Sequence, residues 1–337
     1  MSYRLPSVLV ALAVLTFRQN AFANDSTAEL TTGGLVLAKN ADIEMQSEDL
    51  AISAKEISVR YRFFNRAASD QTVTVAFPMP DVTLVDRDIA FPARDPANFL
   101  DFHTVADGRD VRAQYEEKAV LDGTDISARL KAFGVPLAVQ NKATTDALDA
   151  LPRAKQDELE KLGFVTAYEE GGGKDMVHRV TPKWTFKSTY YWKQTFPAGR
   201  EIAIEHRYAP SVGEAVGSML NSTPIDAAGL REYEALYCID KDFLAGLKTA
   251  LGKPDANGQP AHPFNEQRIA YVLKTAANWA QPIGDFRLTV DKGAPDSLVS
   301  FCAEGVKKIA PTLFEVRHGN FTPTRDLHIL ILYRPKT

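Results

Sequence analysis

Alternation with a period of two runs through most of this chain and limits its fold more than any other feature. Ile57, Val59, Tyr61 and Phe63 occupy every second position, with Arg60 and Arg62 between them. Val73, Val75 and Phe77 repeat the pattern up to Pro78 and Pro80. Trp184, Phe186, Ser188, Tyr190, Trp192 and Gln194 share one face of a long predicted strand. Ile202, Ile204, His206 and Tyr208 share one face of the next. Strand side chains point alternately to opposite faces, so each such segment buries one face and wets the other. Similar runs follow at Ile269-Tyr271-Leu273, Phe286-Leu288-Val290, Phe314-Val316 and Leu327-Ile329-Ile331-Tyr333. The chain is predicted to be mainly β, too rich in strands for a doubly wound α/β fold, with two β-sandwich (immunoglobulin-like) domains.

The period changes in a few places. Asp125–Phe133 and Thr145–Leu162 carry helical spacing, with Pro152 fitting the first turn of a new helix and Gly163 its end. A polar loop, Glu169–Lys174, follows. Residues 123–175 therefore read as a helical insertion in the first domain. Asp107-Gly108 is a hairpin signal between Phe102–Val105 and Val111–Leu121. A helix is predicted over Lys241–Leu251, capped by Asp240. Small, polar residues at 214–228 mark a boundary between a first domain, 24–215, and a second, 229–337.

Before the first strand lies an address. Arg4 precedes the apolar run Leu5–Phe17, and Ala21-Phe22-Ala23 offers a small-x-small cleavage site. Met1–Ala23 reads as a secretory signal peptide cut after Ala23, implying a periplasmic protein. The run is too short to span a bilayer, and no later apolar stretch approaches 18 residues. With 39 Lys and Arg against 43 Asp and Glu, the net charge is −4. That balance argues against a nucleic-acid partner, which needs a basic face. Cys238 and Cys302 are the two cysteines. An even count in an exported chain suggests a disulfide, against the alternative of two buried thiols.

Longer motifs carry a resemblance. They include Gly33-Gly34-Leu35-Val36-Leu37, Asn40–Leu50, Val59–Asn65, Trp192 with Phe196-Pro197-Ala198-Gly199, and His206-Arg207-Tyr208 with Pro210-Ser211-Val212-Gly213. Tyr237-Cys238, Asn278-Trp279, Pro282-Ile283-Gly284 and Ser300-Phe301-Cys302 extend them. Together they resemble a bacterial exported family, domain of unknown function number 4424, across nearly the whole mature chain. The resemblance implies export, a β-rich fold and no assigned activity. A shorter likeness covers about residues 40–120. Phe63-Phe64-Asn65 and Phe77-Pro78-Met79-Pro80 are similar to the start of the non-catalytic sandwich domain of inter-alpha-trypsin inhibitor type.

Local catalytic signatures are sparse. None of His103, His178, His206, His262, His318 and His328 lies three or four residues from another, so no helical metal pair is offered and no metal is expected. Gly-x-Ser-x-Gly and Ser-x-x-Lys are missing. Glu44, Glu48, Asp49, Asp285 and Asp291 could still meet as a dispersed carboxylate pair. Asp42, Glu44, Arg60 and Arg62 point away from the apolar faces of their strands and are expected to form cross-strand charge pairs. His206 is expected as a hydrogen-bonded core residue. Trp184, Tyr190 and Trp192 read as the core side of a strand rather than a sugar platform. Trp279 lies in a predicted loop and is the candidate binding residue. The expected function is a non-catalytic binding or interaction module of the envelope, with no cofactor and with an envelope protein or glycan as partner. The alternative is a periplasmic hydrolase of polysaccharide or peptide using dispersed carboxylates.

Overall fold

The computed structural model describes residues 25–31, 34–84, 89–90, 98, 100–172, 176–222, 224–255 and 260–335. The predicted leader Met1–Ala23 and its cleavage point lie outside them, as do Gly33, Gly173 and Lys174. The chain is mainly β. It opens with β1 (Ser26–Thr31), β2 (Gly34–Ala38), β3 (Ile43–Ile52), β4 (Ile57–Asn65), β5 (Gln71–Pro78) and β6 (Ile89–Ala90). Next come β7 (His103–Ala106), β8 (Arg109–Val111), β9 (Gln114–Leu121) and β10 (Thr124–Asp125). Helices α1 (Ser127–Ala132), α2 (Lys142–Ala150) and α3 (Arg153–Lys161) interrupt the strands. Strands resume with β11 (Val165–Glu170), β12 (Val177–Pro182), β13 (Thr185–Phe196), β14 (Glu201–Tyr208) and β15 (Val212–Ala215). Helices α4 (Ala227–Tyr237) and α5 (Lys241–Leu251) follow. The described chain ends with β16 (Asn265–Tyr271), β17 (Ile283–Asp291), β18 (Leu298–Phe301), β19 (Lys307–Lys308), β20 (Leu313–Phe321) and β21 (Leu327–Tyr333).

Two large sheets pack face to face. One has the order β10-β9-β13-β5-β1-β2, the other β19-β20-β17-β3-β4-β14-β7-β8. Their inner faces carry the predicted alternating residues. Ile57, Val59, Tyr61 and Phe63 are all buried, as are Trp184, Phe186, Tyr190 and Trp192. Phe63 of β4 meets Phe196 of β13 edge-on at 5.7 Å, and Phe77 of β5 lies 4.9 Å from the His206 ring of β14. A third sheet, β18-β21-β16-β15-β6, closes against this core. Its strand β21 is buried on both faces. Ile329 and Ile331 enter the main core, and Leu330 and Leu332 meet a smaller cluster with Leu247, Leu251 and Tyr237 of α5 and α4.

The two expected sandwiches divide the strands near residue 215, but the observed sheets do not divide there. β17 runs parallel to β3, with Leu288 opposite Leu50, so both sides of that point share one sheet. β15 pairs with β16, Val212 opposite Ile269, which links the third sheet to the first half in the same way. The insertion leaves and returns between neighbours, since β9 and β13 pair directly, Glu117 opposite Ser188. Its last part is not helical: β11 and β12 form a separate hairpin. Asp107 and Gly108 have φ of 46° and 74°, the paired left-handed geometry of a tight hairpin turn. That turn joins β7 to β8, while residues 114–121 leave for the other large sheet. No helix among the described residues is long and apolar enough to cross a membrane.

Candidate functional site

The most chemically specific cleft follows from the pairing of β17 with β20. Antiparallel register sets Phe286 opposite His318 and Leu288 opposite Val316, so all four face one side. Phe321 then stacks on Phe286 at 4.6 Å and on His318 at 5.1 Å. The facing wall is a disulfide. Cys238 ends α4 in the left-handed conformation, φ 55°, which turns it toward Cys302 beyond β18. Leu273 and Leu327 complete a cleft of about 520 Å³. That volume suits a small molecule.

Charge at the mouth is uneven. The Asp326 carboxylate accepts from the backbone N–H groups of Leu273 at 3.1 Å and Lys274 at 3.2 Å, and Lys274 Nζ stands 3.5 Å away. Its charge is thus answered within the protein. Arg325 is exposed and, among the described residues, donates only to Ala235 O at 3.4 Å and Cys238 Sγ at 3.5 Å. Among the described residues it has no carboxylate partner. Behind it, burial pushes the His328 imidazole pKa down, with Arg325 and Lys274 adding to the effect against Asp326. An apolar floor under an unpaired guanidinium can hold a molecule with an apolar body and a carboxylate, the group whose geometry a guanidinium matches.

The sequence-predicted residues lie elsewhere, the cysteine pair excepted. Trp279 is buried: its indole N–H donates to Asp25 O at 2.7 Å and its ring lies 4.6 Å from Phe63. Arg60 pairs with Glu205 and Arg62 with Glu201, each at 2.9 Å. Their partners are on β14 rather than β3: the β3–β4 register sets Glu44 opposite Phe64, and Ser47 and Asp49, not Asp42 or Glu44, opposite Arg62 and Arg60. Glu44 reaches Arg66 at 3.2 Å instead, and Asp42 accepts from Gln71 at 2.9 Å. Of the other acids, Glu48 is buried beside Tyr271, and Asp49 stands 3.5 Å from Arg287. The cleft residues Arg325, His318 and Phe321 carry no spacing signal, because the cleft is assembled from at least five separate segments.

His206 is a buried core residue, as its face predicts. Its Nε2 lies 3.0 Å from Asp25 Oδ1, and its Nδ1 contacts the Thr104 hydroxyl. The groups are those of a hydrolytic triad, a hydroxyl, an imidazole and a carboxylate, but with the two ring nitrogens exchanged. All three side chains are buried among aromatic rings, with Phe102 5.2 Å and Trp192 5.3 Å from the imidazole. A substrate would have no path to that hydroxyl, so the arrangement is structural. Burial raises the Asp25 pKa, and His206 partly opposes the rise. Among the described residues no three His, Cys, Asp or Glu side chains are grouped to hold a metal ion.

No curated protein matches the sequence. A solved structure described as a putative nutrient binding protein, from Legionella pneumophila subsp. pneumophila str. Philadelphia 1, is 16% identical with a TM-score of 0.47. The match covers 92% of this chain and 70% of that one. A family model matches residues 23–330, and the chain belongs to that family, the domain of unknown function DUF4424.

Proposed function

We propose that the protein is an exported, non-catalytic binding module of the bacterial envelope that holds an apolar carboxylic acid in the disulfide-walled cleft. The observation that carries this reading is the Arg325 guanidinium, without a carboxylate partner among the described residues, above the floor of Phe286, Leu288, Val316 and Leu327. Export to the periplasm rests on the leader sequence and is supported by the disulfide, which suits an oxidising compartment. Hydrolysis by dispersed carboxylates gains no support: Glu48 is buried, Glu44 stands 3.2 Å from Arg66, and Asp49 stands 3.5 Å from Arg287.

Calorimetric titration of the mature protein with decanoate tests the proposal, with phenylalanine as a second carboxylate. Decanoate should bind saturably at one site. Losing a charge-assisted hydrogen bond costs about 1.5–3 kcal/mol, so Arg325→Gln should weaken binding roughly 10- to 100-fold. Phenylalanine carries an ammonium that Glu304 at the same mouth can receive. A preference for phenylalanine that Glu304→Gln abolishes would identify an amino acid as the ligand type. Neither compound binding, or binding indifferent to Arg325→Gln, would overturn the proposal.

A further inference from the structure

The disulfide that walls the cleft is open to it. Cys238 is exposed and Cys302 half-buried, and both line the cavity of about 520 Å³. A disulfide resists exchange when no thiolate can reach a sulfur, and an exposed one lacks that protection. The two sulfurs differ in what surrounds them. Cys238 Sγ accepts from Arg325 Nη1 at 3.5 Å, while Cys302 Sγ lies 3.6 Å from the carbonyl oxygen of Leu236. A guanidinium stabilises negative charge on the first sulfur, and a carbonyl oxygen opposes it on the second. Cys238 follows the last turn of α4, where the helix end is negative. Arg325 Nη2 answers one of that turn's carbonyls, Ala235 O, at 3.4 Å.

This asymmetry gives the bond a direction of opening. We infer that the cleft is a site of thiol–disulfide exchange with small thiols. The incoming thiolate attacks Cys302 Sγ from the cleft, the Cys238–Cys302 bond breaks, and its electron pair leaves on Cys238 Sγ beside the guanidinium. The product is a mixed disulfide on Cys302 and a thiolate on Cys238. A second small thiol attacks the sulfur of the first, releases the small-molecule disulfide and leaves the protein as a dithiol. The two electrons come from the two small thiols, and their protons pass to the protein sulfurs through solvent. Opening leaves the two sulfurs near each other. Ser300 Oγ donates to Tyr237 O at 2.9 Å, and both residues are buried. That contact holds the end of α4 against β18 after the bond is cut, so Cys238 can close it again. The exchange goes beyond ligand binding and does not require an acid as the ligand.

Cysteine and glutathione, added separately to the oxidised mature protein at pH 8, test this. Acid quenching, trapping of free thiols with N-ethylmaleimide and peptide mass mapping show which sulfur carries what. A single small thiol should add per protein in the absence of urea, on Cys302, with Cys238 carrying the maleimide. The rate should not change with urea well below the unfolding midpoint, because attack on an open disulfide does not wait for unfolding. Arg325→Gln should slow the reaction roughly tenfold, the low end of what a charge-assisted contact is worth. No adduct without urea, a rate that climbs with urea from the first addition, the small thiol on Cys238 with the maleimide on Cys302, or a rate indifferent to Arg325→Gln would overturn the inference.

Discussion

Removing the Trp279 indole takes two things from the core at once, a hydrogen bond and a large apolar volume. Trp279→Phe keeps a ring near Phe63 but withdraws the donor from the Asp25 carbonyl. A lost partner at a buried polar group costs about 1–3 kcal/mol. Trp279→Ala adds a cavity and should cost about 3–5 kcal/mol. Urea midpoints of the two variants check this, and an unchanged midpoint for Trp279→Ala would mean the side chain is not packed as described. His328 supplies a pH prediction. Its unperturbed pKa is 6.5 and burial lowers it in the fold. On acidification below about 6.5 the unfolded chain takes this proton first, so stability falls with falling pH until the folded pKa is also passed. His328→Gln should remove that component: the difference in melting temperature between the two proteins should change between pH 7.5 and pH 5, whereas a constant difference would refute it. These residues also show where the sequence was opaque. Trp279 looked like a loop aromatic because its hydrogen-bond partner, Asp25, lies at the far end of the chain. Arg60 and Arg62 were recognisable as paired charges, but their acids come from β14, on the other side of β4, and sheet order leaves no trace in alternation.

Strands were the legible elements, because antiparallel sheets with one wet face print burial directly as alternation. Helix α5 was legible too: Asp240 accepts from the Phe243 N–H at 2.7 Å, the cap that its position before the apolar period predicts. Helix α4 went unseen although Asp226 caps it in the same way, accepting from the Gly229 N–H at 2.7 Å. Its apolar stripe, Leu230, Tyr233 and Tyr237, is short and only Tyr237 is fully buried, and it directly follows the small, polar stretch that marks a boundary in the sequence. Strand β21 shows the opposite effect: its unbroken apolar run reflects burial on two faces, one of them against helices that alternation cannot reveal. The pairing of β3 with β17 also yields a prediction. A Cβ on Gly284 would stand 2.5 Å from the Gln46 carbonyl oxygen, which is backbone and cannot swing aside. Gly284→Ala should therefore push the two strands apart and cost about 1–3 kcal/mol, as overpacking does. A denaturation midpoint equal to wild type would show that the strands approach less closely.

At the scale of the molecule, one apolar cluster runs from Ile43 to Ile331 and includes residues of all three larger sheets. The whole chain should therefore unfold in a single transition, with tryptophan fluorescence and far-ultraviolet circular dichroism changing together. Two separated transitions would instead support independent halves. Reducing Cys238–Cys302 releases a loop of 64 residues and should cost about 4 kcal/mol by chain entropy. A melting temperature unchanged by reduction would count against that bridge constraining the unfolded chain. The parallel contact between β3 and β17 has a consequence for how such a molecule comes into being. A chain made from its amino end can fold β4 onto β3 at once. The other edge of β3 stays bare until nearly all of the remaining chain has emerged. A bare edge invites pairing with a neighbouring molecule, and contacts between distant segments form slowly. Each newly made copy thus passes through an interval in which it is sticky, and in which a holding chaperone would have something to hold.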